Sequence, residues 1–202
     1  MEGLRQRRTY VWIKEGMMTR RAIVGDDPKL IQVVTRNNGD HVDQLFFDKM
    51  QGKAESIYIT TRKIKDQGVD HLCVDMALNG ENRTLQMALS SRPATGILSR
   101  WENINHNTVF TIYSGYDEKG NFIWIEQHGE TIPSKYTKDS PHDQPAWEKV
   151  VKDGVEQTDK TKALRFWKAK ILQFDAELRD LRPPAHAQEF LNSGPTSSDQ
   201  WQ

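Results

Sequence analysis

Apolar and polar positions alternate through the middle of the chain and switch to a helical step near its end. Between Glu55 and Arg62, Ile57 and Ile59 alternate with Tyr58 and Thr60. Between His71 and Leu78, Leu72, Val74, Met76 and Leu78 alternate with His71, Cys73, Asp75 and Ala77. A period of two is that of a strand with one buried face. Asn79-Gly80-Glu81-Asn82 turns the chain into Arg83 to Leu89, where Leu85, Met87 and Leu89 keep the alternation, so three consecutive antiparallel strands are expected. Ile97, Leu98, Trp101 and Ile104 then fall on one helical face within Pro93 to Ile104. Two further strands are expected at Val109 to Tyr113 and Phe122 to Gln127. Upstream, Thr9 to Ile13 reads as a strand, and Leu30 to Thr35 with Val42 to Phe47 as a hairpin or flap around Asn37-Asn38-Gly39-Asp40. Asn-Gly supplies the positive φ of such a turn.

Downstream, Pro141 and Pro145 mark a loop leading to a short helix at Ala146 to Val151, and Asp159 can cap a longer one from Lys160 to Leu181. Leu164, Trp167, Ile171, Phe174, Leu178 and Leu181 follow a step of three and four, which makes an apolar seam. Arg182-Pro183-Pro184 stops this helix, because proline lacks the amide and restricts the residue before it. The expected fold class is mainly β (α+β), with residues 1–157 as a β domain carrying the flap, 158–182 as a C-terminal helix packed on or beside it, and 183–202 as a disordered tail. A helix between the third and fourth strands points to an OB fold, a five-stranded antiparallel Greek-key barrel, with a β-sandwich plus helix as the other arrangement.

Composition narrows the function. The 28 Lys+Arg cancel the 28 Asp+Glu over 202 residues, so a polybasic chain is excluded and any nucleic-acid surface is a local patch. Arg5, Arg7, Arg8, Lys14, Arg20 and Arg21 stand against Glu2 and Glu15 in the one strongly basic stretch. Cys73 is the single cysteine, which excludes an intramolecular disulfide and fits a reducing, cytoplasmic setting. The N-terminus has no apolar signal region and no run suits a membrane span, so neither export nor a membrane partner is expected. A Gly-rich phosphate loop, a Gly-x-Ser-x-Gly elbow and a His-Glu-x-x-His helix are all missing from the sequence, and an enzyme is not expected. His71, Cys73 and Asp75 share one strand face but nothing converges on them, so neither metal nor cofactor is expected.

An ordered series of segments carries a resemblance: Glu15-Gly16-Met17-Met18-Thr19-Arg20-Arg21, His41 through Lys53 (His-Val-Asp-Gln-Leu-Phe-Phe-Asp-Lys-Met-Gln-Gly-Lys), Gln127-His128-Gly129-Glu130-Thr131-Ile132, Lys135-Tyr136-Thr137-Lys138-Asp139-Ser140-Pro141, and a terminal helix near Asp159 to Phe174. In this order and spacing, over roughly residues 9–175, the chain resembles the OB-fold single-stranded DNA-binding proteins of tailed bacteriophages and prophages, of the Bacteroides-infecting kind. The resemblance implies an OB fold, single-stranded DNA as partner without sequence preference, and a place in phage DNA replication or recombination in the host cytoplasm, beside proteins of those processes. The C-terminus departs from it: such proteins often end in several acids and an aromatic, whereas Asp199-Gln200-Trp201-Gln202 has one acid.

Such binding needs cations that follow the phosphates and flat side chains on which bases stack. The candidates are Tyr10, Trp12, Tyr58 and Trp124 on strands, with Lys14, Arg20, Arg21, Lys53, Arg62, Lys63 and Lys65 near their ends or in adjacent loops; Arg7, Arg8 and Tyr113 extend the set. If Ile57 and Ile59 face the core, Tyr58 and Arg62 face outward together. Trp101 and Trp167 sit on helical faces and are expected in the core. The alternative is a non-enzymatic interaction module whose helical seam docks a partner or a second copy.

Overall fold

A computed structural model of the chain describes residues 9–35, 39–64, 66–136, 148–152 and 154–181. The strands are β1 (Thr9–Lys14), β2 (Met17–Arg21), β3 (Ile31–Thr35), β4 (His41–Phe47), β5 (Lys49–Ile64), β6 (Gln67–Leu78), β7 (Glu81–Ala88), β8 (Phe110–Asp117), β9 (Gly120–Gln127), β10 (Glu130–Thr131), β11 (Glu148–Lys152) and β12 (Val155–Asp159). The α-helices are α1 (Arg92–Leu98), followed by a 3₁₀ turn at Trp101–Asn103, and α2 (Thr161–Asp180). The chain is mainly β with a C-terminal helix, as its alternation implies.

Ten strands form one sheet in the order β10-β9-β8-β5-β6-β7-β1-β2-β4-β3. Within it β8-β5-β6-β7 has the spatial order fourth, first, second, third, which is a Greek key, and α1 lies in the connection between β7 and β8. The sheet is not a closed five-stranded barrel. Its end strands, β3 and β10, are not paired with each other, and β1 occupies the free edge of β7 in parallel register, Thr9 opposite Arg83 and Val11 opposite Leu85. The expected flap is the antiparallel pair β3–β4, with Val34 opposite Val42.

One face of this sheet is the core. Val11, Ile57, Leu72, Val74, Leu85, Ile112 and Ile125 are fully buried. The phase of β5 changes once: the pairing runs Ala54 with Met76, then Ser56 with Asp75, so Glu55 is the extra residue of a bulge. Met50 and Gly52 are buried before it and Ile57 after it, which leaves Ser56, Tyr58, Thr60 and Arg62 on the outer face.

The C-terminal helix completes the core. Asp159 Oδ1 accepts from the Thr161 amide at 2.8 Å, and Trp167, Ile171, Phe174 and Leu178 are buried, with Phe174 6.1 Å from Trp101. β8 pairs with β5 only as far as Gly52, and beyond it the Ile57 amide donates to Asp175 Oδ1 of α2 at 3.3 Å. A helix side chain thus satisfies an amide on a sheet edge. The segment expected to be a helix at Ala146 to Val151 is instead, in its described part, strand β11, paired antiparallel with β12; in the sequence Asp-Gly at 153–154 separates the two. Gly154 takes φ +76°, and that dipeptide with valines on either side favours a hairpin. The tail, residues 183–202, lies outside the described residues.

Candidate functional site

On the outer face of β5, β6, β7 and β1 a buried polar layer supports an aromatic one. Register places Tyr58 opposite Cys73, Cys73 opposite Gln86, and Ser56 opposite Asp75, Asp75 opposite Thr84 and Thr84 opposite Tyr10. Trp12, one residue past the last β1–β7 pair, donates its indole N–H to Gln86 Oε1 at 3.3 Å. Gln86 Nε2 reaches Thr60 Oγ1 at 3.2 Å and Cys73 Sγ at 3.4 Å. Asp75 accepts from Ser56 Oγ at 2.7 Å, Thr84 Oγ1 at 2.6 Å and the Tyr58 hydroxyl at 3.3 Å. Fixed side chains of this kind present their rings without rotamer freedom to lose on binding.

The rings and cations lie above this layer. Tyr10 and Trp12 are 6.5 Å apart at 23°, and the Arg62 guanidinium carbon is 5.9 Å from the Tyr10 ring centre. Tyr10 is 38% exposed and Trp12 and Tyr58 are half-buried. Lys14, Arg21, Lys53 and Arg62 are exposed; the predicted Lys63 is exposed too, but alternation along β5 puts it on the opposite face from Tyr58 and Arg62. The structure therefore brings Tyr10, Trp12, Tyr58 and Arg62 to one face, from strands far apart in sequence.

A second aromatic row crosses the β8–β9 hairpin. Tyr113 lies directly opposite Trp124, and their rings stack at 4.9 Å and 5°. Phe122 lies opposite Gly115, where a Cβ would stand 2.7 Å from Phe122 Cζ, so glycine there makes room for the ring. Phe122 is 5.9 Å from Trp124, and the row ends in cations: Lys49 Nζ is 5.9 Å from Tyr113 and Arg92 Cζ 5.2 Å from Phe122. Trp124 Nε1 donates to Glu126 Oε1 at 3.1 Å, which ties that carboxylate to the indole edge. Lys49, Arg92 and Gln86 were not among the sequence candidates. Lys49 and Arg92 lie outside the strand segments that the alternation marks, whereas the pairing of Tyr113 with Trp124 follows from the hairpin at Asp117 to Gly120.

Arg20 is the residue the structure removes from the set. It is 7% exposed, and its guanidinium grips Asp26 with Nη1 to Oδ2 at 2.9 Å and Nη2 to Oδ1 at 2.5 Å. A buried fork already paired with a carboxylate is not presented to a phosphate. The Arg20 hydrogen bond also holds the Asp26 carboxyl below its ordinary pKa. Arg7, Arg8 and Lys65 lie outside the described residues.

The strand-face trio His71, Cys73 and Asp75 has other employment. His71 Nδ1 lies 3.0 Å from the Val69 carbonyl oxygen, and Asp75 is taken by its hydroxyl donors. Cys73 is buried, and burial pushes its thiol pKa up. Among the described residues no group of three His, Cys, Asp or Glu is placed to hold a metal ion. Nor, among them, is any helix long and apolar enough to cross a membrane. Comparison of the chain with protein-family models, with curated proteins and with solved structures finds no match.

Proposed function

We propose that this protein binds single-stranded DNA without sequence preference, by stacking bases on its outer aromatic face and holding phosphates with the cations beside it. The observation that carries the reading is the Tyr10–Trp12 pair with Arg62 over the tyrosine ring, held in place through Gln86. Single-strand binding needs such π-faces, and every base offers one, so the contact tolerates any sequence. The Greek key with a helix before its fourth strand supports an OB-type ancestry, in which β1 flanks the third strand and α2 lines the edge of the long first one. The same reading makes the protein a non-catalytic cytoplasmic component of phage DNA replication or recombination. The helical seam offers little support for an interaction module, because Trp167, Ile171, Phe174 and Leu178 are spent in the protein's own core.

The test is fluorescence anisotropy of a labelled oligo-dT on the full chain at two salt concentrations, with a duplex of equal length as comparison. Salt-sensitive binding that prefers the single strand is expected. No binding at low salt, or equal affinity for the duplex, overturns the proposal.

A further inference from the structure

α1 and β9 touch where Gly96 leaves space: a Cβ on it would stand 3.0 Å from Ile123 Cγ1. Beside this contact the two elements part into an open groove of about 870 Å³, within the range of small-ligand sites. Its walls carry Arg92, Arg100, Lys119 and Lys160, the rings of Phe122 and Trp124, several hydroxyls and, among the described residues, no carboxylate. Arg92 is paired outside the groove wall with Asp117 at 2.5 Å. Arg100 differs from it. Its Nε donates to the Ile132 carbonyl at 3.1 Å, and its Nη1 to that of Gly96 at 3.0 Å and to Ser99 Oγ at 3.5 Å, while among the described residues no carboxylate meets it. Burial lowers its pKa from the ordinary guanidinium value. A guanidinium remains charged in any protein setting, so a half-buried one held only by neutral oxygens gains most from an arriving anion.

We propose that this groove is a nucleotide site, in which Arg100 and the neighbouring cations hold a phosphate while Phe122 and Trp124 face the base. An anionic group joined to an aromatic ring is the ligand chemistry that these walls match, and it belongs equally to a free nucleotide and to one unit of a strand. The site is separate from the Tyr10–Trp12 face and does not rest on the strand-binding reading. The neighbouring Tyr113 backs the Trp124 ring and fixes its plane.

The experiment is photocrosslinking of the full chain to 5-iodo-deoxyuridine monophosphate, with the adduct located by peptide mass mapping. A crosslink within residues 121–125 is expected, suppressed by excess unlabelled nucleotide. Lys119→Glu, at an exposed residue whose side chain makes no hydrogen bond among the described residues, should reduce it severalfold. Arg100→Gln should reduce it by about tenfold or more, the loss of a charge-assisted contact. No adduct in that segment, or an adduct that neither charge change reduces, overturns the proposal; the exposed Lys119 variant decides it even if Arg100→Gln fails to fold. Competition by oligo-dT as well as by nucleotide assigns the groove to a strand, and competition by nucleotide alone assigns it to the free ligand, each outcome supporting a nucleotide site. Trp12→Ala should leave this crosslink unchanged, which separates failure of the groove from failure of the sheet face.

Discussion

Arg20 and Arg62 are the same residue type with opposite employment, and the difference lies in what stands within reach. Arg62 ends an outward row on β5 and covers a tyrosine, whereas Arg20 turns into a loop where Asp26 fills its fork. The outward row was legible, since Ile57 and Tyr58 alternate within one segment. The Arg20 pair was not, because Met17–Arg21 reads as a basic stretch and nothing local shows that the loop after it folds back. Arg20→Ala should therefore cost about 1–3 kcal/mol of stability, between an exposed and a fully buried pair, and leave the affinity of the folded fraction unchanged. The Asp26 pKa is lowered on folding, so its contribution is complete above the ordinary value of 3.8 and is lost as pH falls through the depressed one. Melting temperatures against pH should show the variant losing less than the wild type on acidification. Tyr10→Ala and Trp12→Ala should behave in the opposite way, each weakening single-strand binding by about 1–3 kcal/mol per lost stack with a small change in melting. Loss of stability at both with affinity intact would falsify the stacking role.

Elements whose pairing is local were legible, and those whose pairing is distant were not. β6 and β7 follow from alternation and Asn79-Gly80, but β1 lies against β7 in parallel register more than 70 residues away, which leaves no mark in either segment. β11 reads as a helix from Ala146 to Val151 because the glycine of its turn, Gly154, lies beyond that span and its partner strand β12 follows only after it. The apolar step of α2 was plain, and its burial ranks Trp167, 2% exposed, among the largest core side chains. Trp167→Ala should cost about 3–5 kcal/mol, read from denaturant unfolding. Glu102 adds a polar tie between this helix and the 3₁₀ turn. It accepts from Lys135, from the Tyr136 hydroxyl at 2.8 Å and from Lys170 of α2 at 3.0 Å. Burial pushes its carboxyl pKa up, but the three donors outweigh it and bring the value from 4.5 to about 2. A depressed carboxylate stabilises fully above its unfolded pKa, so this contribution fades as pH falls from about 4.5 towards 2. Glu102→Gln should lower stability at neutral pH by about 1–2 kcal/mol, with the gap to wild type closing in acid. A gap that stays constant from pH 7 to pH 2 would show that the charge is not what binds the helix.

For the whole molecule, zero net charge sets how binding must respond to salt. A uniformly cationic protein attracts any polyanion from a distance, and duplex, with its denser charge, attracts it more strongly. Here attraction to this face comes from a few local cations, Lys14, Arg21, Lys53 and Arg62 being exposed ones that strand alternation places on its side of the sheet. Each phosphate neutralised on a single strand contributes about −0.7 to the slope of log K against log salt, so about four contacts give a slope near −3. The remaining affinity should come from stacking, which salt does not screen and which a duplex cannot offer while its bases are paired. Raising salt should therefore weaken single-strand binding with this modest slope and widen the preference over duplex, because the duplex keeps only the screened contribution. Titrations of both forms at matched length over a tenfold range of salt measure the two slopes directly. A preference that narrows as salt rises would mean that charge, rather than the rings of Tyr10, Trp12 and Tyr58, selects the single strand.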